Sequence, residues 1–200
     1  MRAAVVHLTK SDPVMAAIIK RVGACEIASR EPTFETLARS ITFQQLSGKA
    51  AGTIFGRLKK AVGRRFTPTA FLKLTADELR ACGLSRQKIA SLTDLAERTA
   101  RREIQFHKLH GMEDEEIISL LSQARGVGVW TVQMFLIFAL QRPNVMPLSD
   151  LGIRNAVRKA YNLPDLPKPA ELAELSREWV PYCSFASWYL WRSLEGPAGI

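Results

Sequence analysis

The fold is decided by the stretch from Leu120 to Val157, LLSQARGVGVWTVQMFLIFALQRPNVMPLSDLGIRNAV. It predicts a helix, a tight turn at Gly126-Val127-Gly128, an apolar helix, a Pro-containing connection and a further helix that Asp150 opens. Glycine permits positive φ and has no Cβ, so a ligand can press against the backbone of this turn. The next helix begins at Val129 or Trp130, and its N–H groups and positive dipole end favour a phosphate. One segment can therefore hold a phosphate backbone and present a carboxylate.

Composition narrows the class of protein independently. The 200 residues are 47% hydrophobic, which is enough for one core or for two small lobes that share one. Lys and Arg number 28 against 19 Asp and Glu, and the resulting net charge of +9 favours a polyanionic partner such as nucleic acid. On charge alone, a basic protein with no nucleic-acid partner stays open.

Cysteine usage and hydropathy indicate the compartment. Cys25, Cys82 and Cys183 are too scattered for a zinc site, and their odd number indicates a reducing environment. The longest apolar run, Met134 to Leu140, is too short to cross a bilayer, and the N-terminus lacks the apolar segment of a signal peptide. We expect a cytoplasmic, nucleoid-associated monomer with no metal site.

Helical patterns continue outside the central stretch. Capping residues precede five of them, at Asp12, Thr33, Ser47, Thr75 and Ser85. No segment shows the period-two alternation of a strand, so the fold is predicted to be all-α. Residues 1–10 are expected to be a short irregular lead-in.

The residues Gly126-Val127-Gly128-Val129-Trp130-Thr131, followed by Pro147-Leu148-Ser149-Asp150, resemble the signature of the base-excision DNA glycosylase superfamily. That signature is a helix-hairpin-helix, a Gly/Pro-rich loop and an aspartate. Within the superfamily, the chain is similar to the 3-methyladenine DNA glycosylase II family from about Asp12 to Glu195. The resemblance implies two helical lobes, one over 34–142 with the hairpin and one over 1–33 plus 143–200. It also implies a base-binding cleft between them, with Asp150 at its edge.

The activity that the resemblance implies is that of a monofunctional DNA glycosylase in base excision repair. Such an N-glycosyl hydrolase removes alkylated purines, of the 3-methyladenine and 7-methylguanine type, from duplex DNA. Asp150 would be catalytic, because a carboxylate can stabilise the positive charge that develops on the sugar or orient the attacking water. The alternative interpretation is that Asp150 only caps the helix over 151–161. With Ser149 beside it, we expect Ser149 to cap while Asp150 stays available.

Three side chains are placed beside the extruded base by the same resemblance, namely Trp130, Met134 and Tyr182. Trp130 and Met134 are four residues apart and share a helix face, where an indole would attract a cationic methylated purine. Endonuclease III-like relatives have a nucleophilic lysine at the position of Trp130, and an indole cannot attack the sugar, so lyase chemistry is disfavoured. The helix over 129–141 is apolar nearly all round and is predicted to be buried, so a role in the core stays open for these residues.

DNA contacts are expected from two loops. In the family, the loop that matches Gln44-Gln45-Leu46-Ser47 enters the minor groove, and Gln45 would fill the gap left by the flipped nucleotide with Gln44 beside it. The hairpin residues expected to contact the strand are Arg125, Gly126, Val127, Gly128 and Thr131. Arg125 stands where the family usually has proline. A monovalent cation could bind at the hairpin, and no other cofactor is expected.

Other interpretations stay open at this point. The segment from Cys82 to Lys88 resembles a second, looser hairpin, in which Arg86 and Lys88 either contact phosphate or form a solvated basic turn. For the whole chain, one alternative is a glycosylase for other damaged or mismatched bases. Another is a non-catalytic helix-hairpin-helix DNA-binding module, in which Asp150 is only a helix cap.

Overall fold

The computed structural model describes residues 1–195. This part of the chain is helical and contains no β-strand, which confirms the all-α prediction. None of its helices is both long enough and apolar enough to pass through a lipid bilayer. The α-helices are, in chain order, α1 (Arg2–Ser11), α2 (Pro13–Val22), α3 (Phe34–Phe43), α4 (Gly48–Val62), α5 (Pro68–Phe71), α6 (Ala76–Ala81), α7 (Arg86–Ala100), α8 (Asp114–Leu121), α9 (Val129–Phe138), α10 (Leu151–Ala160), α11 (Pro169–Leu175) and α12 (Cys183–Leu194). Short 3-10 helices cover Phe106–Gly111 and Ser176–Trp179.

Local capping explains most helix starts. Each of the five predicted capping residues accepts a hydrogen bond from a backbone N–H in the first turn of its helix. Thr75 forms a full capping box with Glu78, which satisfies two N–H groups that the helix itself leaves unbonded. The expectation of an irregular lead-in is wrong, because residues 2–11 form α1. That helix has no side-chain cap and buries Ala4 and Leu8, which lie one turn apart and pack towards α2.

The chain divides into two compact units. Arg30–Leu140 forms one, called the central unit below, and Met1–Ser29 together with the described residues from Gln141 onward forms the other, called the discontinuous unit. The base-binding cleft expected between two lobes, with Asp150 at its edge, stays a prediction.

In the central unit, α7 packs against α3 and α5, while α9 packs against α3 and α8. The buried side chains between these helices include Leu37, Ile41, Leu92, Leu95 and Phe135. Removing each such side chain from water contributes about 1.5–3 kcal/mol to folding. This packing places the end of α3, the start of α7 and the turn before α9 within one compact unit.

In the discontinuous unit, α12 packs against α2 and α10 around a buried carboxylate, Asp12. Its Oδ1 caps α2 by accepting from the N–H groups of Val14 and Met15 at 2.8 and 3.0 Å. Its Oδ2 accepts from Trp179 Nε1 at 2.8 Å and from the hydroxyl of Tyr161. Burial and the adjacent Asp12 charge raise the pKa of the Tyr161 phenol well above its ordinary value. The network joins the start of the chain to residues that follow the central unit.

Candidate active site and nucleic-acid interface

The hairpin turn requires glycine at its first position. Gly126 has φ of +73°, in the left-handed region, and a Cβ built on it would lie 2.4 Å from Ser91 Oγ. Val127 is buried and anchors the turn, with its N–H donating to the carbonyl of Ala124 at 3.0 Å. Gly128 is different, because its φ of −88° is open to any residue and a Cβ would meet nothing within 4 Å. No internal packing in the described chain accounts for glycine at 128, which leaves an unobstructed backbone in front of α9.

Helix α9 is less buried than its composition suggests. Val132, Phe135 and Leu136 are buried, but Val129 and Trp130 in the first turn are 50% and 42% exposed. The prediction of an apolar helix buried all round is therefore wrong for this turn, because the hairpin carries it to the surface. Gly128 is the N-cap and offers no side chain to the first-turn N–H groups. Met134 lies one turn beyond Trp130 and is half-buried.

The loop after α3 is hydrogen-bonded to the hairpin through Gln44. Its Nε2 donates to the carbonyl oxygen of Gly126 and to Oγ1 of Thr131, both at 3.1 Å. Thr131 itself is buried. Both side chains were predicted to contact DNA, and in the structure they are hydrogen-bonded to each other. Contact of Gln44 and Thr131 with DNA stays a prediction, whereas their contact across the two loops is observed.

Gln45 projects from the same loop and is exposed, with φ of +56°. A left-handed conformation costs a residue with a side chain about 1–2 kcal/mol and persists only where the surroundings hold it. Leu46, which the sequence analysis left without a role, is beside it and is 39% exposed. The loop therefore presents an amide and an adjacent apolar side chain to solvent.

Asp150 is the N-cap of α10. Its Oδ1 accepts from the N–H of Ile153 at 2.7 Å and from Trp191 Nε1 at 2.9 Å, and the residue is only 8% exposed. The expectation that Ser149 caps the helix is wrong. The Asp150 N–H donates to the carbonyl of Pro147 at 2.9 Å, and the turn closed by this bond puts Asp150, not Ser149, at the capping position.

The room for this arrangement is provided by Gly152. A Cβ there would lie 3.0 Å from Asp150 Oδ1 and 3.2 Å from Trp191 Cδ1, so a larger residue would push the indole away from the carboxylate. Trp191 was not predicted as a site residue, and its hydrogen bond to Asp150 was missed. The sequence shows a glycine two residues after Asp150, but sequence spacing alone does not connect this pair to a tryptophan 41 residues away from the aspartate.

Residues 38–182 match the family described as HhH-GPD superfamily base excision DNA repair protein. The chain belongs to this superfamily. It is 37% identical to DNA-3-methyladenine glycosylase 1 of Schizosaccharomyces pombe over 195 residues, which cover 94% of this chain and 85% of that protein. A putative DNA-3-methyladenine glycosylase of Bacillus subtilis is 33% identical over 196 residues, covering 94% of this chain and 68% of that protein.

Solved HhH-GPD structures share the fold over nearly the whole chain. The Schizosaccharomyces pombe 3-methyladenine DNA glycosylase in complex with abasic DNA superposes with a TM-score of 0.84 at 37% identity, covering 94% of this chain and 95% of that one. A DNA-3-methyladenine glycosidase from Bacillus halodurans superposes with a TM-score of 0.87 at 28% identity, covering 96% of this chain and 89% of that one.

The HhH-GPD hairpin of this chain is supported by one face of α7. Lys88, Ser91 and Asp94 are three residues apart and therefore lie along the same side of the helix. Asp94 Oδ2 accepts from the backbone N–H of Arg125 at 2.8 Å, and Ser91 Oγ fills the space beside Gly126. The sequence analysis missed Ser91 and Asp94. Their spacing was visible, but the partners are more than thirty residues away along the chain.

Lys88 holds the other end of this support. Its Nζ donates to the carbonyls of Ile41 at 3.2 Å and Gln44 at 2.7 Å, and also to that of Thr42. Partial burial of the ammonium group lowers the pKa of Lys88. Lys88 therefore holds the end of α3 and the loop that carries Gln45, and a contact of Lys88 with phosphate stays a prediction.

Tyr182 lies in the discontinuous unit, where it precedes α12. Its ring is half-buried and packs edge-to-face against His7 at 5.4 Å and Phe185 at 6.0 Å between ring centroids. Cys183 follows it, and burial raises the pKa of its thiol to about 11. The thiol is therefore neutral at ordinary pH and supplies no charge beside Tyr182.

Proposed function

We propose that this protein is a monofunctional DNA glycosylase of base excision repair, of the type II 3-methyladenine class, which hydrolyses the N-glycosidic bond of alkylated purines in duplex DNA. The observation that carries the proposal is the carboxylate of Asp150, buried and oriented by Ile153 and Trp191. Support comes from the relatives that share most of the chain and are named DNA-3-methyladenine glycosylases. A duplex DNA substrate would also make the protein nucleoid-associated.

The chemistry needs one fixed negative charge. Alkylation places positive charge on the leaving base, so departure of the base requires no strong general acid. As the N-glycosidic bond breaks, positive charge develops on the sugar, and a carboxylate beside it stabilises that charge or orients the attacking water. Two N–H donors hold Asp150 Oδ1 before any substrate binds, so the carboxylate would not have to reorganise during the reaction. The proposed hydrolysis uses no cofactor.

The base-contacting roles of Trp130, Met134 and Tyr182 are part of the proposal. An exposed indole offers its π face to a cationic methylated purine, an attraction of about 0.5–2 kcal/mol. Met134 offers a polarisable thioether one turn further along α9, and the half-buried ring of Tyr182 offers an aromatic wall. Because Trp130 has no amine, we expect no covalent Schiff-base intermediate.

The proposed DNA contacts follow from the two loops. The backbone of Gly126, Val127 and Gly128 would bind phosphate oxygens at the open start of α9, and the guanidinium group of Arg125 would contact the same strand. Gln45 would enter the stack in place of the flipped nucleotide. A monovalent cation at the hairpin stays a prediction, and the carbonyl of Gly126 already accepts from an amide.

The test is base release from methylated duplex DNA, measured by chromatography. We expect wild type to release 3-methyladenine and 7-methylguanine, and Asp150→Asn to release them about 10²–10³-fold more slowly, as for the loss of one oriented electrostatic group. Asparagine keeps an oxygen that can cap α10, so the fold should survive. Asp165→Asn, which removes an exposed carboxylate from the same unit, is the matched control and should behave as wild type.

Equal release by wild type and Asp150→Asn would refute the proposed role of this carboxylate. Duplexes with single defined lesions separate alkylated purines from oxidised, deaminated or mismatched bases. Borohydride trapping should give no covalent adduct. Because Asp150 is observed as a helix cap, a non-catalytic DNA-binding module is the second candidate, and it predicts damage-independent binding with no abasic product.

A further inference from the structure

A groove of about 420 Å³ lies on the surface of the central unit beside the hairpin. It is lined by residues of α6 and α7 and by Arg125 of the hairpin turn. Its charged lining residues are Arg80, Arg86, Asp94, Glu97 and Arg125. We propose that this groove binds a backbone phosphate of the DNA strand that the hairpin holds, through the guanidinium groups of Arg86 and Arg125. The inference rests on the proposed function and adds a contact outside the hairpin itself.

The two carboxylates of the groove have cationic partners within the protein. Asp94 Oδ2 accepts from Arg98 Nε at 3.1 Å as well as from the N–H of Arg125. Glu97 Oε2 lies 3.9 Å from Arg101 Nη1. The cations that offset them, Arg98 and Arg101, are not among the groove-lining residues. Both cations also pair with Glu103, at 3.1 and 2.8 Å, so this network keeps one net negative charge against the two positive charges of Arg86 and Arg125.

Arg86 and Arg125 are the uncompensated charges. Both are exposed, and within residues 1–195 neither takes part in an ion pair, whereas Arg80 lies 3.8 Å from Asp77. Two unpaired guanidinium groups that line one concave surface raise the local potential for an anion. A planar guanidinium matches two oxygens of a phosphate, and two of them can share one phosphate group.

The position of Arg86 has no structural explanation. It is the first residue of α7, and a cation there opposes the helix dipole by about 0.3–1 kcal/mol. The N-terminus of α7 already has a side-chain cap, since Ser85 Oγ accepts from the N–H of Lys88 at 3.2 Å. An external anion would account for Arg86, whose charge destabilises its own helix, lines the groove and has no ion-pair partner within residues 1–195.

The anion is assigned to DNA because of where the groove lies. Arg125 directly precedes Gly126, so the groove continues the surface formed by the hairpin backbone. Asp94 fixes the backbone of Arg125 through its N–H while the side chain stays exposed, so the side chain that lines the groove starts from a fixed point beside the turn. A strand bound by the hairpin amides presents its next phosphates at regular intervals, and one of them would enter this groove.

The test uses an undamaged duplex, so that it does not depend on base release. Binding is measured against salt concentration for wild type, Arg86→Gln, Arg125→Gln, the double variant and the matched control Arg64→Gln, which removes an exposed arginine beyond the end of α4. We expect each groove variant to bind about 10–100-fold more weakly, as for the loss of a charge-assisted hydrogen-bond pair. The slope of log K against log salt should fall by about 0.9 in magnitude for the double variant, which removes both partners of one phosphate.

A second arm locates the contact on the DNA. Single phosphates are replaced one at a time by uncharged methylphosphonate, and each duplex is titrated with wild type and with the double variant. We expect one replacement that weakens wild type but not the double variant, at a phosphate neighbouring those bound by the hairpin. Inorganic phosphate at constant ionic strength should not compete measurably, since a single free phosphate lacks the remaining strand contacts.

Any one of three results would overturn the inference. The double variant could keep the affinity and salt slope of Arg64→Gln, or no replaced phosphate could distinguish wild type from the double variant. The third is competition by inorganic phosphate at concentrations comparable with that of the duplex. Failure of the proposed function is separate, because it would appear as absent base release by wild type with the binding data unaffected. Circular dichroism and thermal unfolding of all variants establish that each one is folded.

Discussion

Replacement of Lys88 by methionine tests whether α7 determines the geometry of the loop after α3. The ammonium group donates to the carbonyls of Ile41, Thr42 and Gln44 at the end of α3, and of these the Ile41 carbonyl also accepts from the N–H of Gln44 at 3.4 Å. A hydrogen bond from a charged donor is worth about 1.5–3 kcal/mol, and a cation at a helix C-terminus adds about 0.3–1 kcal/mol. Because Lys88 is half-buried and water can replace part of the loss, we expect the free energy of unfolding to fall by about 2 kcal/mol.

The measurement is urea unfolding of wild type, Lys88→Met and Lys60→Met. Lys60 is an exposed lysine in the last turn of α4, so its variant removes the same charge near a helix end without loss of such a triple contact. We expect Lys60→Met to lie within about 0.5 kcal/mol of wild type, as is usual for surface substitutions. If Lys88→Met and Lys60→Met unfold at the same urea concentration, the ammonium group does not hold α3 and the reasoning fails.

Two further substitutions test other parts of the structure. Gly126→Ala should lower the free energy of unfolding by about 2 kcal/mol or more, because position 126 has a positive φ and the new Cβ would collide with Ser91 Oγ. Thermal unfolding measures this loss, and the double variant with Ser91→Ala should recover part of it. In the folded chain the pKa of Tyr161 is raised, so its phenol stays protonated at pH values at which the unfolded chain has already lost that proton. Stability should therefore fall as pH rises through the ordinary value of 10, by up to about 1.4 kcal/mol per pH unit. Tyr161→Phe should lack this part of the decline in urea unfolding between about pH 9 and pH 11, and equal slopes for the two proteins would contradict the assigned contact with Asp12.

Helix boundaries were predictable wherever the signal was local. Ser47 was predicted as a cap and begins α4, because its side chain acts on the backbone within one turn; Gly63 ends the helix with φ of +97°. The end of α9 was predicted three residues too late, since nothing in the apolar sequence marks the stop at Phe138. The first helix was missed because no capping side chain marks its start. Its stability comes instead from the burial of Ala4 and Leu8.

The sequence indicated which residues form the candidate site, but it did not indicate most of the contacts that hold them. The glycine pair indicated the hairpin, and the connection before α10 indicated Asp150. Which of Ser149 and Asp150 caps the helix depends on a turn closed by the carbonyl of Pro147, a detail that residue identity does not fix. The hydrogen bond from Trp191 joins positions far apart in the chain, so no spacing rule could supply it.

The order in which Asp12, Tyr161 and Trp179 leave the ribosome has a consequence for folding. The nascent chain releases Asp12 first, and the two side chains that donate to it follow only after all of Arg30–Leu140 has been synthesised. The intervening segment is continuous and can fold as soon as it emerges, while α1 and α2 must wait for the residues that cover them. Late closure of so long a loop is slow, so an early stop in translation would leave the two opening helices with only each other to pack against, and without α12.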